Sequence, residues 1–552
     1  LAPIDWLILG IYLVFVIGIG FALKRYTNSA EDFFLSGRAI PGWVTGLAFI
    51  SANLGAQELI GMSASGAEYG IMTSHFYWVG AIPAMVFLGI FMMPMYYGSK
   101  ARSVPEYLKM RFDERTRKFN SVSFAFLTVS SSGISMHALA DLLHTLLGWN
   151  YYASLVITSA IVLAYVLKGG LSSAIYNEVL QFFMIVFGIA PLAFIALSDV
   201  GGWEGLVAKL SAGRMHSWAE TGTTNNPMGI PWYGIFFGLG FVLSFGYWTT
   251  NFAEVQRALA ANSMGAARRT PIIGAIPKML FPVVIILPGM IAYALNATPG
   301  GYDIPLKDGA LNYNQVLPSM IFHYFPNGLL GLALTALMAS FMSGMAANVT
   351  AFNTVWTYDI YQQAWGKNKS DAELLSMGKL ATIAGIILAM GCALIASRYN
   401  NIMAILQLVF GFVNAPLFAT FLLGMFTRRS NNTGSFWGLV VGTSTAVIFH
   451  GLTFVTGNLP GIKGGWITPM IEYPKDLSQT FWVAIVAFSV TFGMNLVLSL
   501  ATQRNKSDEE LRGLVYSLTE KPKTDHEPWI VRPAVLGTIV LIAAIILNVI
   551  FW

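Results

Sequence analysis

Long apolar stretches alternate along the chain with short polar or charged ones. A helix that crosses a bilayer takes roughly 20 apolar residues. By that measure the pattern predicts fourteen spans, near 4–24, 43–66, 76–97, 119–147, 150–167, 174–198, 232–256, 271–296, 327–362, 376–396, 402–425, 432–456, 479–501 and 532–552. Lys168, Gly169 and Gly170 follow the short fifth span directly. The first run, Ile8 to Leu23, has its basic pair Lys24 and Arg25 behind it, not ahead of it. That order reads as a retained span and not a cleaved signal peptide.

Composition agrees with the pattern. Of 552 residues, 55% are hydrophobic and only 11% charged, against about 25% charged in soluble domains. A cytosolic enzyme, a nucleic-acid binder and a disordered chain are excluded. The single cysteine, Cys392, rules out a disulfide framework or a CxxC site. The net charge of +5 matters through its distribution. With an even number of spans both termini share one side. Lys209, Arg214, Lys307, Arg398, Lys463 and Lys475 fall on that side, Lys278 falls within a span, and every other Lys and Arg falls opposite. The positive-inside rule then places both termini outside the cell membrane. The longest loops, 199–231, 298–326 and 502–531, are each short, and no GxxxxGK[ST] motif occurs. A mobile bundle without its own ATP site reads as transport driven by an ion gradient.

Polar groups in hydrocarbon are costly and therefore informative. The second span carries Ser51-Ala52-Asn53-Leu54-Gly55-Ala56-Gln57-Glu58. This is either a glycine-mediated helix contact or an unwound segment whose carbonyls meet an ion or solute. Glu58 favours the second reading. The seventh span carries Ser244-Phe245-Gly246-Tyr247-Trp248-Thr249-Thr250-Asn251, five spans later and running the other way. Two interrupted spans at matching places are the trace of an inverted repeat. Tyr247 and Trp248 form an interfacial belt or a stacking platform. Lys278 sits well inside the eighth span, snorkelling or contacting a partner or solute. Gln407 is alone among apolar neighbours in the eleventh. In the ninth, Ser340, Ser343, Gly344 and Ala347 recur at helical spacing. They are a close-packing stripe or an oxygen-bearing face suited to a hard cation.

These residues resemble the sodium/solute symporter family, and within it the sodium/glucose cotransporter branch. The likeness covers nearly the whole chain and is most specific at Ala52–Met62, Ser103–Leu108, Gly169–Gln181, Gln256–Ala261 and Asp359–Tyr361. It implies an all-α polytopic protein of fourteen spans with a LeuT-type five-plus-five inverted repeat. Residues 1–30 would then form an extra span, 43–198 the first repeat, 232–425 the second, and 432–552 three C-terminal spans. It also implies a sodium site between spans 2 and 9, with carbonyls of Ser51, Leu54 and Ser340 and the hydroxyl of Ser343. A second hydroxyl of the family is Gly344 here, so a looser site is expected, tightened by Gly344→Ser. Glu178 stands where relatives carry Asp near the ion path. The sugar pocket would keep Asn53, Tyr247, Trp248, Lys278 and Gln407. Tyr77 stands in place of a sugar-binding glutamate, Glu58 in place of Gln or His, and Ser244 in place of Asn. Met62, Met403 and His137 fall at gate positions.

The resulting expectation is a sodium-coupled symporter of a sugar or polyol, with Tyr247 stacking on the solute more than hydrogen-bonding to it. A carboxylate or amino acid drawn to Lys278 is the alternative solute. A solute sensor on a transporter scaffold is the more remote one. The expected partners are solute, sodium and lipid bilayer, with no nucleic acid, no obligate protein partner and no enzymatic chemistry.

Overall fold

The computed structural model describes residues 1–23, 29–296, 298, 301–307, 309–365, 369–523 and 527–552. Lys24 and Arg25 lie outside the described residues. The chain is mostly helical, with two short two-stranded pairings in loops, Leu306–Lys307 with Ala310–Leu311 and Thr453–Val455 with Ile471–Tyr473. Ten helices are long and apolar enough to cross a membrane, or eleven if Met264–Lys278 and Pro282–Leu295, bent by 43°, count as one. By that measure the count of fourteen is not reached. The remaining expected spans are short or broken. The second is two helices, Gly42–Asn53 and Ala56–Tyr69. The fifth contains only the shorter apolar stretch Tyr151–Ala164. The seventh is assembled from Trp232–Gly234, Ile235–Ser244, Phe245–Thr250 and Phe252–Leu259.

Local chemistry sets many of these boundaries. Asp113, Asn150, Ser370 and Asn431 cap the helices that begin at Glu114, Tyr151, Asp371 and Asn432, each side-chain oxygen accepting from a first-turn N–H, as N-cap residues do. Between the fifth and sixth spans the chain reverses at Gly170, whose φ of +55° is a conformation that L side chains rarely adopt. In the third span, π-helical turns at Phe76–Ala81 and Leu88–Met92 precede Pro83 and Pro94. A wide turn accommodates the carbonyl left without the N–H that proline lacks.

The bundle sorts its spans by burial. In the most apolar window of Ile402–Phe426, 94% of residues are buried, against 17% in Pro3–Leu23 and 22% in Pro533–Ile550. An all-round apolar helix that stays exposed is one whose solvent is lipid. The polar interruptions of the second, seventh and eighth spans therefore face protein and not lipid.

Candidate functional site

The second span breaks where Leu54 and Gly55 leave the helix. Interrupting a helix strands backbone carbonyls, and inside a membrane these need partners. The ninth span supplies them from one face of Leu329–Val355. Ser343 Oγ donates to the Ser51 carbonyl at 2.7 Å and lies 3.0 Å from Ser51 Oγ. Ser340 Oγ donates to the Leu54 carbonyl at 2.5 Å. Five oxygens thus gather in one buried place, including the Ser51 hydroxyl, which sequence reasoning had not singled out. A hydroxyl can turn its proton aside and offer a lone pair, so this group of oxygens can hold a small hard cation.

Gly344 has a different role from the one expected of it. A Cβ there would fall 2.7 Å from Gly55 Cα. The missing side chain is what lets the ninth span lie against the break. A serine at 344 would push backbone from backbone instead of adding a ligand.

On the other side of the break lies a cavity. Space for water centres amounts to ≈ 50 Å³, where one water needs about 10–15 Å³. Asn53, Glu58, Tyr77, Ser244, Tyr247, Trp248, Lys278 and Gln407 all line it, as does Met62. Lys278, only 1% exposed, donates to Glu58 Oε1 at 2.8 Å and also to Asn53 Oδ1. Tyr77 donates its hydroxyl to the same Glu58 oxygen at 2.8 Å. Glu58 of the second span and Tyr77 of the third, both expected departures from the family pattern, are thus direct partners. The ammonium also sits 4.4 Å from the Tyr77 ring centre and 5.2 Å from that of Trp248, within cation–π range.

Tyr247 departs from a purely stacking residue. Its hydroxyl accepts from Asn53 Nδ2 at 3.2 Å and donates to Glu254 Oε1 at 2.6 Å. Its ring lies 4.6 Å from that of Phe410, so part of its face is already covered. The helix runs unbroken through the expected interruption to Thr250 and breaks at Asn251, whose side chain caps Phe252–Leu259 through the Ala253 N–H. Gly246 serves packing instead: a Cβ there would lie 2.9 Å from the Asn414 carbonyl. Ser244 occupies space left by Gly80, where a Cβ would fall 2.1 Å from its Oγ. Gln407 donates to Met403 Sδ at 3.3 Å.

Other expected residues lie apart from the cavity. Met403 packs on Gly61, and Asn401 caps its N–H. His137 is buried and paired with the Tyr151 hydroxyl at 3.0 Å; it does not line the cavity. Glu178 is fully buried in a two-pronged pair with Arg257, Nη2–Oε1 at 2.5 Å and Nε–Oε2 at 3.2 Å. Arg257 is further held by the Ala253 carbonyl, Gln256 and Thr350. Thr350 is seven residues beyond Ser343, about two helical turns, so this pair lies well along the ninth span from the oxygen cluster.

Sequence reasoning missed Glu254. It is 1% exposed and lines the cavity. An acid within the seventh span was the signal available, and its place beside the basic Arg257 hid it as an ordinary span end. Gln57, Asn251 and Asn348 also line the cavity; among the described residues no group of three or more His, Cys, Asp or Glu side chains is placed to hold a metal ion.

Comparison with known proteins gives a family and a fold. Residues 33–442 match the model of the sodium:solute symporter family. A sodium/glucose cotransporter of Vibrio parahaemolyticus is 28% identical over 476 residues, 83% of this chain and 87% of that protein. Sodium/glucose cotransporter 4 of Danio rerio is 29% identical over 90% of this chain and 78% of its own. Among solved structures, a substrate-bound, outward-open Na+-coupled sialic acid symporter superposes with a TM-score of 0.76 at 20% identity, covering 92% of this chain and 99% of that one. Mhp1, a nucleobase-cation-symport-1 family transporter in a closed conformation, gives 0.53 at 13% identity, covering 88% and 98%. At such identities the likeness is one of fold.

Proposed function

The chain belongs to the sodium:solute symporter family, and from that premise we propose that it imports a sugar or polyol coupled to sodium by alternating access. The observation that carries this reading is the cluster of Lys278, Glu58, Tyr77 and Asn53 in a cavity one residue from a helix break. These groups satisfy one another in the cavity, and a polyhydroxylated solute offers donors and acceptors to replace each bond. Glu58 neutralises Lys278, so a carboxylate gains little from that cation. This favours a neutral solute over an acid or amino acid. Tyr247 and Trp248 would hold the apolar face of the solute, with Ser244 and Gln407 at its edge. Met62, Met403 and His137 would act at the gates.

Sodium would enter the oxygens of Ser51, Leu54, Ser340 and Ser343. By joining the broken second span to the ninth it would favour the state open to the outside. Glu178 would act farther along the ion path, through Arg257. One charge crossing 100 mV supplies about 2.3 kcal/mol, enough to drive accumulation. The proposed frame is fourteen spans, counting the broken and short ones. It comprises an extra span at 1–30, inverted repeats at 43–198 and 232–425, and three spans at 432–552. Both termini would be outside the plasma membrane, with solute, sodium and lipid as the only required partners.

The test is uptake of labelled hexoses and polyols into proteoliposomes with and without a sodium gradient. Sodium-dependent accumulation of one of them, weakened in Ser343→Ala, is expected. Uptake indifferent to sodium and to Ser343 would overturn the reading.

A further inference from the structure

Glu254 is the one acid lining the central cavity for which no salt bridge is found among the described residues. One carboxylate oxygen, Oε1, accepts the Tyr247 hydroxyl at 2.6 Å. The other, Oε2, is buried and has no hydrogen-bond partner among the described residues. The neighbouring cations are already engaged. Lys278, from the eighth span, is bonded to Glu58 and Asn53. Arg257, three residues along the same helix, is gripped by both oxygens of Glu178 from the sixth span. The inner half of the second span, Gly42–Asn53, and the ninth-span helix Leu329–Val355 carry no titratable side chain. From the third span, the Tyr96 hydroxyl is spent on the Thr249 carbonyl.

A carboxylate taken out of water without a counter-charge is among the most costly groups a protein can bury, and it is relieved by neutralisation. Sodium would need several oxygen ligands around Oε2, whereas a proton needs only Oε2 itself. We propose that Glu254 is a proton-binding site, loaded at Oε2 when the cavity is closed. Its second oxygen keeps the Tyr247 hydroxyl while the proton is bound. Release requires water or a cation to reach Oε2 as the cavity opens. The inference goes beyond the transport reading and stands apart from it, because it concerns the cavity without solute or sodium.

Infrared difference spectroscopy of the purified full chain in lipid bilayers, between neutral and alkaline pH, tests it without solute or ion gradient. A protonated carboxyl shows its own C=O stretch, which moves down in D₂O. The band should be present at neutral pH in the wild type, lost in Glu254→Gln, and retained in Glu58→Gln. Glutamine is nearly isosteric and keeps an oxygen for Tyr247, so the variant should remain folded, as size-exclusion elution and melting will report. A wild type without the band, or a Glu254→Gln protein that keeps it, would overturn the proposal.

Discussion

Two of the buried ion pairs, Glu178–Arg257 and Glu58–Lys278, differ in how they are built. Glu178 and Arg257 meet through both oxygens and two guanidinium nitrogens, with the Ala253 carbonyl, the Gln256 amide oxygen and the Thr350 hydroxyl all around the third nitrogen, Nη1. Glu58 and Lys278 meet through one oxygen, which Tyr77 also uses, and they face a cavity. A guanidinium fork is rigid and geometrically committed; an ammonium is a compact charge on a flexible stem with three interchangeable donors. The first pair therefore holds spans together, and the second can exchange partners. The same charges at similar burial are thus held rigidly in one place and loosely in the other.

The sharpest way to break that contrast is to remove each cation in turn. Arg257→Ala leaves a fully buried carboxylate with no partner, which costs about 3–5 kcal/mol. We expect loss of a monodisperse protein, or a large fall in melting temperature, on thermal unfolding in detergent. Lys278→Ala should abolish sodium-driven uptake while elution and melting stay near wild type, because Glu58 keeps the Tyr77 hydroxyl. If the two variants melt alike, the distinction between a fixed and an exchangeable pair is wrong.

A finer test lies at Tyr247, which links the exchangeable pair to Glu254 through Asn53. Tyr247→Phe keeps the ring and deletes both hydrogen bonds. Each such bond is worth about 0.5–1.5 kcal/mol and two are lost, so uptake should fall severalfold to about tenfold. Tyr247→Ala should fall further. Retention of wild-type uptake in the phenylalanine variant would restore the stacking account.

The smallest effects are expected at the oxygen cluster. Ser343→Ala removes one oxygen of five and should raise the sodium concentration for half-maximal uptake severalfold. Gly344→Ser should also weaken coupling, since overpacking against Gly55 costs about 1–3 kcal/mol. A gain in sodium affinity in that variant would show that the second and ninth spans can part to admit a side chain.

The apolar runs, the polar interruption at Ser51–Glu58 and the depth of Lys278 and Gln407 in their spans were all legible in the chain itself. Each follows from a local rule: hydrocarbon must be matched by apolar side chains, and a polar group placed within it needs a reason. Partnership was not legible. Lys278 lies 220 residues from Glu58, and Tyr247 lies 194 from Asn53, so no period or spacing joins them. Tyr77 read as a lost acid until the third span brought it onto the acid gained in the second. Gly344 read as a missing ligand until the Gly55 backbone was found against it. Glu254 drew no notice in the chain, and only its buried free oxygen marks it. Desolvation is settled residue by residue along the chain, whereas which group satisfies a buried charge is settled by packing, and only the folded bundle brings those atoms within reach of each other.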